Sequence, residues 1–97
     1  MAYTLVNAED RAAQFPHIPT RSDRERLRTG DYAKVVFDNG AELWVHVTLN
    51  IAGALCGRLV NEPMVDLNYG ATIHFRPEHV VDIEHVRNRR RDWRFMR

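Results

Sequence analysis

The clearest pattern in the chain is a strict alternation. In AELWVHVTLN (41–50), Leu43, Val45, Val47 and Leu49 fall on one side, and Trp44, His46 and Thr48 on the other. A period of two marks a half-buried strand. The preceding run DYAKVVFD (31–38) splits the same way, with Ala33, Val35 and Phe37 against Tyr32, Lys34 and Val36. Asn39-Gly40 between them predicts a type I′ hairpin, whose two central residues both need positive φ. Residues 50–53 predict a second turn. In ALCGRLVN (54–61), Leu55, Gly57 and Leu59 oppose Cys56, Arg58 and Val60, and the interior Gly57 predicts a bulge or sharp bend. A loop over 62–70 contains Pro63. ATIHFR (71–76) then turns Ile73 and Phe75 inward, and Thr72, His74 and Arg76 outward. Pro77-Glu78-His79 is a short turn, and VVDIEH (80–85) is expected to bury Val81 and Ile83.

The first thirty residues read differently. Asn7 can cap a short helix with Glu9 and Asp10 in its first turn, stopped by Pro16. FPHIPT (15–20) is expected to be extended on the surface. Ser22 and Glu25 have capping-box spacing and open one or two helical turns, anchored by Leu27 and closed by Gly30. Five short strands in about 55 residues leave two long edges unless the sheet closes. The bend at Gly57 and the short break before the last strand predict closure as an SH3-like barrel. An OB-fold would usually place a helix at 62–70, which is too short and contains Pro63. The expected class is therefore mainly β: a small five-stranded SH3-like barrel with one or two short N-terminal helices and a basic C-terminal tail. The divisions are 1–22 (N-terminal extension), 23–85 (barrel) and 86–97 (Arg/aromatic tail).

Composition adds boundaries. Ninety-seven residues hold one compact core. The single Cys56 excludes an internal disulfide. No apolar run approaches membrane-spanning length, and the N-terminus lacks the basic and apolar regions of a secretory signal, so a soluble, cytoplasmic protein is expected. The net charge of +1 hides an asymmetry. Residues 1–85 carry eight Lys/Arg and twelve Asp/Glu, a net −4, whereas 86–97 carry six Arg and one Asp, a net +5. Lys34 is the only lysine. Arginine suits bidentate contacts to carboxylate and phosphate, although a GC-rich genome produces the same bias.

Several separated motifs resemble an uncharacterised bacterial domain family. They are the Ile-Pro-Thr stretch at 18–20, Gly-Asp-x-x-Lys-Val-x-Phe at 30–37, Trp44-Val45, Gly-x-Leu-x-Asn-x-Pro at 57–63, and Pro-Glu-His-x-x-Asp at 77–82. The resemblance covers about residues 15–84. It implies an SH3-like barrel and no assigned activity. Gly70-Ala71 stands where the family pattern has Gly-Asp, and the tail lies outside the pattern.

The tail is the first candidate for chemistry. It interleaves Arg87, Arg89, Arg90, Arg91, Arg94 and Arg97 with Trp93 and Phe95. Arginine neutralises phosphates and aromatic rings stack on unpaired bases, yet Trp and Arg are also the commonest hot-spot residues in protein interfaces. Folding of Trp93, Phe95 and Met96 back onto the barrel is the plain alternative. A second candidate is the outer face at Trp44, His46 and Lys34, with cover by Tyr3, Leu5, Phe15 and Ile18 as its plain alternative. The five histidines show no metal-ligand spacing, and His46 and His74 meet only if the second and fourth strands adjoin. Cys56 sits in a strand with no obvious base beside it. No phosphate loop or nucleophile motif appears, so neither catalysis, a cofactor nor a metal is expected. The expectation is a non-enzymatic, stand-alone interaction module. It acts as a bacterial or mobile-element regulator or inhibitor, docking on the acidic surface of a larger, possibly nucleic-acid-processing, complex. Direct nucleic-acid binding and a homodimer with the tail as assembly arm are the two alternatives; no membrane partner is expected.

Overall fold

The computed structural model describes residues 3–11, 13–60 and 71–85. The predicted loop at 62–70 and the tail at 86–97 lie outside them.

The chain is mainly β. A five-residue helix, α1 (Arg21–Glu25), precedes β1 (Tyr32–Val36), β2 (Glu42–Ile51), β3 (Ala54–Leu59) and β4 (Thr72–Phe75); a 3-10 turn (Pro77–His79) leads into β5 (Val80–Glu84). The strands form one antiparallel sheet in the order β4-β3-β2-β1-β5. The inner face carries the alternating apolar residues: Ala33, Val35, Leu43, Val45, Val47, Leu55, Leu59, Ile73 and Phe75 are all buried.

Gly57 belongs there because nothing larger fits. A β-carbon on it would lie 2.4 Å from the His46 carbonyl oxygen and 2.5 Å from Val45 Cγ1. The bulge expected near it is on the partner strand. Val47 pairs with Gly57 and Leu49 with Cys56, so Thr48 is the extra residue. Alternation reverses beyond that point. Leu49, expected inside, is 48% exposed. The reversal is pinned at several points. The Thr48 hydroxyl donates to the Cys56 carbonyl (3.2 Å), and the Thr29 hydroxyl donates to the Thr48 carbonyl (3.1 Å). The Asn50 amide turns inward and donates to the carbonyls of Glu25 and Leu27 (3.0 and 2.7 Å). A second bulge sits in β5. Lys34 pairs with Asp82 but Val35 with Val80, leaving Val81 as the extra residue. Val80, rather than the expected Val81, is therefore fully buried, and Ile83 is only half-buried.

The turns also correct the sequence reading. At Asn39-Gly40 only Gly40 has positive φ (92°), following a turn in which the Gly40 N–H donates to the Phe37 carbonyl. Both residues of Ala52-Gly53 have positive φ (52° and 89°), between the paired Ile51 and Ala54. The primed two-residue hairpin is thus the second one.

In the N-terminal part, Asn7 does cap, its Oδ1 accepting from the N–H groups of Glu9 and Asp10. The backbone beyond it forms a pair of hydrogen-bonded turns (Arg11 to Ala8, Gln14 to Arg11), not a regular helix, among the described residues. Phe15–Ile18 is a turn rather than extended, the Ile18 N–H reaching the Phe15 carbonyl. Helix α1 starts earlier than expected, because Thr20 and not Ser22 caps it: Thr20 Oγ1 accepts from the Asp23 N–H (3.2 Å). Arg24 of α1 is buried and binds three segments together. It donates to the Pro19 carbonyl (2.9 Å), the Pro77 carbonyl (2.9 Å) and Glu9 Oε2 (2.8 Å).

Residues 3–8 act as a strap. Leu5 bridges Phe37, the Val6 N–H donates to the Val36 carbonyl, and the Asp38 N–H donates to the Thr4 carbonyl. The Tyr3 hydroxyl accepts from the His74 N–H (2.8 Å) and donates to the His74 carbonyl (3.3 Å), occupying the free edge of β4. Tyr3 also meets Phe37 edge-on, at 5.9 Å between ring centroids.

Candidate partner-binding surface

Cross-strand register builds the outer face in rows. Tyr32 pairs with Glu84 on one side and His46 on the other, His46 with Arg58, and Arg58 with Thr72. One row therefore reads Glu84–Tyr32–His46–Arg58–Thr72. The next reads Asp82–Lys34–Trp44, and the Val60 N–H donates to the Trp44 carbonyl. A third, beyond the Thr48 bulge, reads His74–Cys56–Leu49, with Ile51 opposite Ala54.

Side chains within the rows touch. The Tyr32 and His46 rings stack at 4.9 Å with 28° between their planes. Lys34 Nζ lies 5.7 Å from the centre of the Trp44 ring and 3.2 Å from Glu42 Oε1. A cation at that distance from an indole ring is held by the ring's quadrupole. Tyr32, Lys34, Trp44 and His46 are all half-buried, and Arg58 is exposed. The sheet thus brings together Lys34, Trp44 and His46, as expected from alternation. Arg87, Arg89, Arg90, Arg91, Arg94, Arg97, Trp93 and Phe95 lie outside the described residues.

The expected cover over Trp44 is placed differently. Tyr3 and Leu5 pack on the core beside Phe37. Phe15 and Ile18 flank Lys34, Glu42, Val81 and Asp82 around a cleft of about 360 Å³ at the β5 side of the face. Sequence reasoning missed two groupings. Arg58 pairs in register with His46, beside the Tyr32–His46 stack, a placement that only register reveals. His74 stands directly across from Cys56, a neighbour for the thiol that the chain order alone did not assign. His46 and His74 are separated by β3. His79 lies off this face; its Nδ1 accepts from the Arg76 N–H (3.0 Å), and burial lowers its pKa from the ordinary 6.5.

Chemically the face offers flat rings, a lysine and an arginine on a rigid base, with carboxylates along its β5 margin. No helix among the described residues is long and apolar enough to cross a membrane. In comparisons with known proteins, no family, no curated protein and no solved structure matches the chain.

Proposed function

We propose that this chain is a non-enzymatic protein-binding module built on an SH3-like roll. Its outer face contacts a larger protein, and the Arg/aromatic tail supplies a second, electrostatic contact. The observation that carries the reading is the side-by-side placement of Trp44, Lys34, Tyr32, His46 and Arg58 on the outer face of a sheet whose inner face fills the core. Tryptophan, tyrosine and arginine dominate the energetics of protein interfaces because they combine large contact area with directed polar groups. The roll is supported by the strand order, by the single 3-10 turn between β4 and β5, and by the strap of residues 3–8 that touches both β1 and β4. Regulation or inhibition of a larger, nucleic-acid-processing complex suits a compact body with one charged arm.

Rings and cations also suit nucleic acid. The net −4 of residues 1–85 and the carboxylates of Glu42, Asp82 and Glu84 around the face favour protein, because they repel a phosphate backbone. Photo-crosslinking in the native cell tests the reading. A photoreactive residue at Thr72, at the end of the Tyr32–His46–Arg58 row, should give a discrete protein adduct, and one at Asp23 on α1 should not. Fluorescence anisotropy with single-stranded DNA and RNA at low and high salt should show no binding. Adducts absent at Thr72, or tight oligonucleotide binding that falls steeply with salt, would overturn it.

A further inference from the structure

We infer that the β2–β3 end of the outer face, around Leu49 and Ile51, docks an acidic amphipathic segment of a partner protein. The inference rests on the reading of this face as a partner-binding surface, and it names the chemistry of what binds there.

Three observations converge on this end of the sheet. The first is apolar exposure. Leu49 and Ile51 are the exposed large aliphatic side chains among the described residues, at 48% and 62%. They lie on one face, roughly 7 Å apart along the strand, a span that two apolar residues one helical turn apart can straddle.

The second is that the exposure is built in. Strict alternation would have put Leu49 inside. The extra residue Thr48 turns it out, and four hydrogen bonds, two from Asn50 and one each from Thr29 and Thr48, hold the reversed register. Bulges commonly re-aim side chains at functional surfaces, and here the re-aimed residues extend the line of Trp44 and His46 along β2.

The third is charge. The outward residues around this pair are Cys56 and Arg58 on β3, and Thr72 and His74 on β4, with Arg76 following by alternation in extended backbone. The outward positions of β3 and β4 carry no carboxylate among the described residues; Glu25 of α1 lines a cleft with Ala52, Gly53 and Arg76 beside the turn, and the acids Asp82 and Glu84 lie across the sheet on β5. No carboxylate among the described residues forms an ion pair with Arg58. Arg76 leans toward Glu78 at 3.6 Å, itself also 3.6 Å from Arg21. An apolar pair with Arg58 beside it, not matched by a carboxylate among the described residues, is complementary to apolar side chains flanked by carboxylates.

The test uses the full chain, ¹⁵N-labelled, and two synthetic helical peptides with identical leucine positions, one with glutamate and one with lysine on the polar face. The Leu/Glu peptide should shift the amides of Leu49, Ile51, Cys56, Arg58 and His74, and the Leu/Lys peptide should not. Leu49→Ser with Ile51→Ser, and separately Arg58→Glu, should each weaken binding about tenfold or more. All these side chains are exposed or half-buried, so the variants should retain the amide dispersion of the parent; Ile51→Ser alone is the milder control. Asp23→Ser on α1, away from this face, should change peptide affinity by less than about threefold. Equal binding of both peptides, no binding, or binding indifferent to the serine changes overturns the inference. Binding lost in Trp44→Ala but kept in the serine variant also overturns it, while leaving the module reading intact. Self-association of the unliganded chain that the serine changes abolish would assign the surface to a second copy instead.

Discussion

Ala52 is held at φ 52°, a left-handed conformation that costs an L-residue with a β-carbon roughly 1 kcal/mol or more. Ala52→Gly should therefore raise stability by up to about 1 kcal/mol, read as a higher denaturation midpoint, unless the extra freedom of the unfolded glycine offsets the gain. Gly57 poses the opposite case. A β-carbon there would face backbone rather than a flexible side-chain tip, so Gly57→Ala has to push β2 away at His46. A loss of about 1–3 kcal/mol is expected, and the Tyr32–His46 stack should be disturbed with it. The sequence marked Gly57 as the site of a bulge or bend, and a bulge does lie opposite it at Thr48; the close approach of β2 that also keeps the position small leaves no local signature. It also put the primed turn at Asn39-Gly40, where the composition favours one. Pairing of Ile51 with Ala54 forces it on Ala52-Gly53 instead, against the preference of alanine.

At the scale of elements, alternation identified all five strands and nearly all the core, since each inward residue from Ala33 to Val47 obeys it. The failures are the two bulges. An extra residue in one strand changes nothing in composition, yet it exchanges Val81 for Val80 and turns Leu49 outward. The strap was half legible. Tyr3, Leu5, Phe15 and Ile18 were recognised as needing a place to pack, but only backbone pairing to Phe37 and the phenol at His74 show where the first two go. Arg24 left no signal, since a buried arginine is defined by carbonyls distant in sequence. The clamp it forms with Glu9 has a pH consequence. A hydrogen bond from Arg21 first, and then Arg24, hold the Glu9 carboxyl below its ordinary value of 4.5, although burial opposes them. Burial holds His79 below 6.5. Both groups bind protons more readily in the unfolded chain, so stability is full at neutral pH. It should decline below about 6.5 as unfolded His79 protonates, and again below about 4.5 through Glu9. Thermal melts at pH 7.5, 5.5 and 3.5 check this. Glu9→Gln should lower the neutral melting temperature and flatten the acid step; an unchanged acid step would assign the loss to other carboxylates.

The whole molecule divides its charge between an acidic body and an arginine-rich end. Arg90→Ala together with Arg91→Ala should leave the melting temperature almost unchanged and weaken partner binding; unfolding of the double variant would show that these arginines support the body. Lys34, Trp44 and His46 were legible as an outward group from alternation alone. Tyr32 was legible beside them in the same way, but the joining of Arg58 needed the register of β2 and β3, and the exposure of Leu49 and Ile51 beside them needed the Thr48 bulge. The proposed contact surface is that assembled face rather than any single motif, and no motif in the chain announces it.

The most direct measurement combines Trp44→Ala with Arg58→Glu in the full chain carrying the photoreactive group at Thr72. Adduct yield in the cell and the melting temperature of the purified protein are read together. The account predicts that the adduct disappears while melting changes little. An adduct that persists undiminished in a folded double variant would contradict it.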